Sequence, residues 1–348
     1  MYFDVTEDNS TEESGVTVVK VDKPNMAQKG TITVEKTGEV FFGVSVIGGV
    51  DESGNELPAI YQPQYEKRGL PGAVYEIIAA EDIITPDGTV RNQKGNVVDT
   101  VTTDENGTAV SRELYLGKYE VREITAPHGM VLNPEPHCVE LVYAGQNVAV
   151  TETATSFENE RQKVEISLVK SIEQNERFGI GTNGEMKNIS FGLFAAEEIV
   201  SASGTSIPAN GLVEIISLNE DGTAKIKTDL PFGSYYVQEL ATDSHYKLSD
   251  TKYPVTFGYA SQDTAVVKIA VNGGNAVENK LIYGSVSGKK IDENGDSLGG
   301  ALIGLFRTDD GEFTKENALM TTASAEDGSF SFESIPYGTW YVLSLIHI

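Results

Sequence analysis

The sequence predicts an all-β chain of tandem β-sandwich domains, and three observations carry that expectation. Strand-like runs such as Val164-Glu165-Ile166-Ser167-Leu168-Val169-Lys170 alternate apolar and polar residues, as a strand with one buried face requires. Gly, Asn and Asp punctuate these runs, and no stretch sustains a long helical period. The same strand and turn signals recur three times in one register, the mark of internal repetition.

The repeated strands are Leu70-Pro71-Gly72-Ala73-Val74-Tyr75-Glu76-Ile77, Met186-Lys187-Asn188-Ile189-Ser190-Phe191-Gly192-Leu193 and Leu298-Gly299-Gly300-Ala301-Leu302-Ile303-Gly304-Leu305. A turn follows each: Asp104-Glu105-Asn106-Gly107, Asn219-Glu220-Asp221-Gly222 and Glu326-Asp327-Gly328. Gly accepts the positive φ of a tight turn and the preceding Asn or Asp tolerates it. A further strand begins 10, 11 and 10 residues after the turn glycine, at Gly117-Lys118-Tyr119, Gly233-Ser234-Tyr235 and Gly338-Thr339-Trp340.

At 348 residues the chain suits two or three such modules. With 39% hydrophobic residues, 13 Phe and 15 Tyr, each has the material for its own core. A formal charge of −26 repels phosphate backbones and anionic membranes, so nucleic acid is excluded as a partner and the acidity reads as a solubilising surface. Cys138 is the single cysteine, so no intrachain disulfide forms. It lies in His137-Cys138-Val139-Glu140-Leu141 and reads as a small buried apolar residue. No segment is apolar and long enough to span a membrane, and Met1-Tyr2-Phe3-Asp4 does not begin a secretion signal. With the repeat pattern, this suggests that both ends of a longer protein are missing.

A lysine-bearing strand, an L-x-G-A-x-F-x-L-like strand, a D-G turn, G-x-Y-x-x-x-E and a terminal E-N follow one another in this chain. They read Lys36, Leu70 to Ile77, Asp104 to Gly107, Gly117 to Glu123 and Glu158-Asn159. This order resembles the CnaB/SpaA-like, prealbumin-like repeat domains of Gram-positive cell-surface adhesins and pilins. The resemblance implies Ig-like or prealbumin-like sandwiches at 29–161 and 162–281, a shortened one at 282–348, and the tail of a preceding repeat at 1–28. It also implies a secreted, cell-wall-anchored or surface location, no cofactor or metal, and partners among host extracellular matrix or neighbouring pilin and adhesin domains.

One interval repeats without change: Asn25 to Lys36, Asn159 to Lys170 and Asn279 to Lys290 are each 11 residues apart. The resemblance implies that a first-strand lysine, a last-strand asparagine and a middle-strand carboxyl meet within each domain and form an intramolecular isopeptide bond. That assigns Lys36, Glu123 and Asn159 to one site and Lys170, Glu239 and Asn279 to a second. Burial would release the lysine lone pair and favour a neutral glutamate able to shuttle protons as ammonia leaves. Such a reaction is a single turnover in cis, not enzyme catalysis. Closing so long a loop would stabilise a domain by about 4–5 kcal/mol.

Taken singly, a strand lysine is ordinarily solvated, a glutamate exposed and an asparagine part of a turn; the shared order and interval favour the functional reading. In the first domain 34 residues separate Lys36 from Leu70, against 16 from Lys170 to Met186 and 8 from Lys290 to Leu298. That insertion leaves Lys67 open as an alternative nucleophile. In the third copy Ser344 stands at the glutamate position and Lys290 lacks a partner, while Leu343 to Ile348 reads as an artefact of sequence assembly. The long segments 50–68 and 195–213 read as surface decoration. Two further readings compete with a structural stalk: direct contact of those segments with a host matrix protein or glycan, and an accessory module of a large secreted enzyme.

Overall fold

A computed structural model describes residues 11–13, 16–20, 25–50 and 56–345. The proposed tail at 1–28 falls largely outside the described residues. Strands dominate, and among the described residues the helical turns are the short Glu185–Asn188 and Val271–Gly274. The all-β expectation therefore holds. The chain divides into two compact units, one of residues 1–37, 69–127 and 132–159, the other of 38–68, 128–131 and 160–348.

In the first unit the opening part of strand Lys29–Val50 pairs with Thr108–Val110, Leu114–Tyr115 and the last strand, Val150–Asn159. The other sheet runs in the order His137–Leu141, Gly117–Thr125, Val74–Ala79, Val97–Thr102. Ile32, Val34, Tyr75, Ile77, Tyr119, Val121 and Phe157 make the core. Because side chains alternate along a strand, Lys36 inherits the buried side of Ile32 and Val34. Glu123 likewise follows Tyr119 and Val121, and Asn159 follows Phe157. Two-residue periodicity alone thus aims three polar side chains into an apolar core.

The second unit repeats the scheme. Strand Lys163–Ile172 pairs antiparallel with Thr223–Lys225 and parallel with Val266–Ala270 and Val277–Asn279. The facing strands are Leu212–Ser217, Ser190–Ala195, Gly233–Ala241 and Tyr253–Phe257. Ile166 and Leu168 lead to Lys170, Tyr235 and Val237 to Glu239, and Val277 to Asn279, all buried. The third copy pairs Tyr283–Lys289 with Ser329–Pro336 and flanks Leu302–Arg307 with Met320–Ala323 and Trp340–Ser344. Its core of Ala301, Ile303, Leu305, Phe332 and Ile335 is joined by Phe178, Ile180, Tyr246 and Leu281.

Two sequence expectations need correction. Of segment 50–68, the described residues 56–68 are not mere surface decoration: Glu56–Gly69 is a strand hydrogen-bonded to Lys29–Val50. Phe41, Val44 and Tyr61 of this ribbon pack on the second core, Phe41 and Phe42 carbonyls accept from Ala202 and Ser203, and the Tyr65 ring stacks 3.6 Å from the Arg161 guanidinium. Apolar residues on both of its strands give the ribbon a face to bury. Cys138 is exposed, because it shares a strand face with the charged Glu140 while half-buried His137 and Val139 point the other way.

Candidate functional site

Lys36 sits where its strand meets the turn glycine. Its N–H donates to the Gly107 carbonyl at 2.7 Å, as that of Lys170 does to Gly222 and that of Lys290 to Gly328, both at 2.8 Å. The three glycines have φ of 79°, 80° and 78°. A Cβ on them would lie 2.3, 2.3 and 2.4 Å from the carbonyl oxygens of Lys36, Lys170 and Lys290. Only glycine tolerates both the angle and the approach, so the turn fixes the lysine's place along the strand. A second repeated contact orients the strands that carry Glu123, Glu239 and, in the third copy, Ser344: the hydroxyls of Tyr119 and Tyr235 and the indole of Trp340 donate to the carbonyls of Tyr115, Pro231 and Pro336.

At the first site the Lys36 and Glu123 side chains are fully withdrawn from solvent, with Nζ 2.9 Å from Oε1. Lys36 Nζ also donates to Asn159 Oδ1. Asn159 Nδ2 donates to both carboxylate oxygens of Glu123 at 3.0 Å. The carboxylate is held further by the Asn133 N–H on Oε2, 2.9 Å, and by the Tyr75 hydroxyl on Oε1, 3.5 Å. The rings of Tyr75 and Phe157 lie 5.9 and 6.0 Å from Nζ. Burial lowers the Lys36 pKa from its ordinary value, the nearby Glu123 opposing it only in part. Burial, reinforced by the Glu123 carboxylate, raises that of Tyr75, which stays a neutral donor.

At the second site Lys170 Nζ lies 3.2 Å from Glu239 Oε1, again with both side chains buried. Asn279 Nδ2 donates to Glu239 Oε1 and to Thr242 Oγ1, each at 2.8 Å. The Ser249 N–H donates to Oε2 at 3.0 Å. Among the described residues, Lys170 Nζ and Asn279 Oδ1 make no hydrogen bond, the ion pair being close in distance but not aligned. Burial lowers the Lys170 pKa, with Glu239 acting against it.

The structure thus gathers Lys36, Glu123 and Asn159 at one place and Lys170, Glu239 and Asn279 at another. Lys67 is exposed on its strand, Asn25 is exposed and Lys290 is half-buried. Sequence reasoning missed the supporting groups. Asn133 and Ser249 each follow their glutamate by ten residues, a spacing that could have found them. Tyr75 is set apart by its hydroxyl where the second copy has Phe191, and Thr242 by a hydroxyl where the first copy has Ala126. An apolar, water-excluding pocket holding an amine, a carboxamide carbon and a carboxyl in contact is suited to amide exchange between the first two.

Comparison with known proteins gives a consistent family. The model of the SpaA prealbumin-like fold domain matches residues 62–155, 176–273 and 284–344. The trypsin-resistant surface T6 protein of Streptococcus pyogenes serotype M6 is 26% identical over 147 residues, 41% of this chain and 26% of that protein. The structure of the Bacillus anthracis TIE protein has the same fold, with TM-score 0.57 and 19% identity over 92% of this chain and 46% of that one. BcpA, the major pilin subunit of Bacillus cereus, gives 15% identity and TM-score 0.32 over 91% of this chain and 88% of that one. The chain spans about a quarter of the T6 protein and under half of the TIE chain.

Proposed function

This chain belongs to the SpaA family of prealbumin-like fold domains, and on that premise we propose that it is a structural stalk segment of a Gram-positive surface protein or pilin. On this reading its domains run 29–161, 162–281 and 282–348. The first two are each locked by an autocatalytic isopeptide bond, Lys36 to Asn159 and Lys170 to Asn279. The role is mechanical, the protein is no turnover enzyme, and its place is the cell surface, beside like domains.

The observation that supports the bond most directly is the buried contact of Lys36 with both Glu123 and Asn159. Proton transfer from the lysine ammonium to the carboxylate yields an amine beside a carboxylic acid. The Nζ lone pair attacks Asn159 Cγ, Glu123 passes its proton to Nδ2, which lies against its oxygens, and then takes the second proton from Nζ as the intermediate collapses. The Nζ–Cγ bond forms, the Cγ–Nδ2 bond breaks and ammonia leaves. No water or cofactor enters the balance, and contact of the reacting groups supplies the rate. Glu239 serves Lys170 and Asn279 in the same way.

Intact mass tests this reading: the purified chain is expected to weigh about 34 Da less than its sequence, about 17 Da for each ammonia lost. Glu123→Ala restores one increment relative to its own sequence mass, and a tryptic map joins the Lys36 and Asn159 peptides. A wild-type chain at its full sequence mass would refute it.

A further inference from the structure

The two sites differ in how they hold the leaving nitrogen. In the first, one Nδ2 hydrogen of Asn159 is shared by the two oxygens of Glu123, each 3.0 Å away. The residue three after Glu123 is Ala126, buried and without a hydroxyl. In the second, Glu239 takes one hydrogen of Asn279 and Thr242, three residues on, takes the other. Glu239 Oε2 accepts from the Ser249 N–H as Glu123 Oε2 does from that of Asn133, but Phe191 stands where Tyr75 steadies the first carboxylate.

We propose that Thr242 is a positioning residue for bond formation at the second site, holding the Asn279 carboxamide so that its nitrogen faces Glu239 and Thr242. An amide has two N–H donors and one carbonyl acceptor. With both donors fixed on acceptors, the group cannot flip, and its plane is set before reaction. The Thr242 hydroxyl is not consumed: Nζ of Lys170 bonds to Cγ of Asn279, Glu239 relays the proton, and ammonia departs from the place where Thr242 holds the nitrogen. At the first site the two oxygens of Glu123 share one N–H, and the carboxamide is held instead from its other end, where Lys36 Nζ donates to Asn159 Oδ1. The inference rests on the isopeptide reading above and adds a residue to it.

The test uses the full chain, made by cell-free synthesis, with initiation stopped and samples quenched in acidic urea at intervals. Mass spectrometry then follows the Lys170–Asn279 and Lys36–Asn159 cross-linked peptides separately. Thr242→Ala is expected to slow the Lys170–Asn279 bond about tenfold, the scale of one lost positioning hydrogen bond. Thr242→Ser restores the rate, and the Lys36–Asn159 bond forms as in wild type. In a Lys170→Ala background, where no bond can form, Thr242→Ala melts at the parent temperature. Wild-type speed in Thr242→Ala overturns the inference and leaves the isopeptide reading intact. So does a Thr242→Ser as slow as Thr242→Ala together with a lower melting temperature in the unreactive background, which makes the residue a packing element. A wild-type chain that never joins Lys170 to Asn279 overturns both.

Discussion

Lys36 Nζ lies 2.9 Å from Glu123 Oε1 in a space closed to solvent on every side. A buried pair of this kind is a weak source of stability by itself, since desolvation offsets most of the attraction, but removing one partner is costly. On the function proposed above, the pair is a reactive arrangement whose lasting contribution is the covalent loop that it closes.

That view predicts an order among variants. Lys36→Met abolishes the first bond but fills the space, and Glu123 keeps its donors from Asn133, Asn159 and Tyr75. Its loss should be near the loop-closure figure, about 5 kcal/mol for a loop of this length. Glu123→Gln loses the same bond and also strands an ammonium in the core, a further ~3 kcal/mol or more. Urea midpoints of the first unit should therefore fall in the order wild type, Lys36→Met, Glu123→Gln.

The depressed Lys36 pKa gives a pH dependence that only the unbonded form can show. In Asn159→Ala the lysine remains free, and burial holds its folded pKa below the ordinary 10.5. Between those two values the unfolded chain binds more protons than the folded one, so stability rises with pH across that window. Below the folded pKa the penalty is present in full. Denaturation of Asn159→Ala should shift to higher urea as pH rises towards 10.5, a trend absent at this lysine in wild type once its nitrogen is an amide.

The turn glycines offer a test remote from the chemistry. Gly107→Ala places a Cβ 2.3 Å from the Lys36 carbonyl oxygen at a φ of 79°. Relief of that clash must move the strand carrying Lys36, and a displacement of about 1 Å can cost a reaction of this type roughly a hundredfold. The Lys36–Asn159 cross-link should form slowly or not at all in Gly107→Ala, while Lys170–Asn279 forms normally. Gly222→Ala should give the converse pattern in the same peptide map.

Much of this arrangement is legible in the sequence because period-two alternation and the glycine turn are local rules. Ile32, Val34 and Lys36 fall on one face by counting, as do Tyr119, Val121 and Glu123. The same counting, applied with Glu140 as the outward marker, places Cys138 outside; reading it as apolar gives the wrong face. Spacing leaves Lys36 and Lys67 as alternatives because the insertion between them hides the register. The ribbon of Phe41 and Tyr61 finds its burial only against a core formed more than a hundred residues later, and Thr242 matters only through a contact with Asn279. Such long-range pairings leave no periodic trace.

The last prediction concerns force. Lys36 and Asn159 are 123 residues apart, on the strands that open and close the first domain. A bond between them carries tension directly from one strand to the other, and the intervening chain is never loaded. Stretching the wild-type chain by its ends should give no extension from those residues. Lys36→Met routes the load through the hydrogen-bond ladder between Lys29–Val50 and Val150–Asn159. It should add one unfolding event of roughly 400 Å contour length, at ~3.4 Å per residue, in single-molecule traces. The same event in wild type would show that no bond closes the domain.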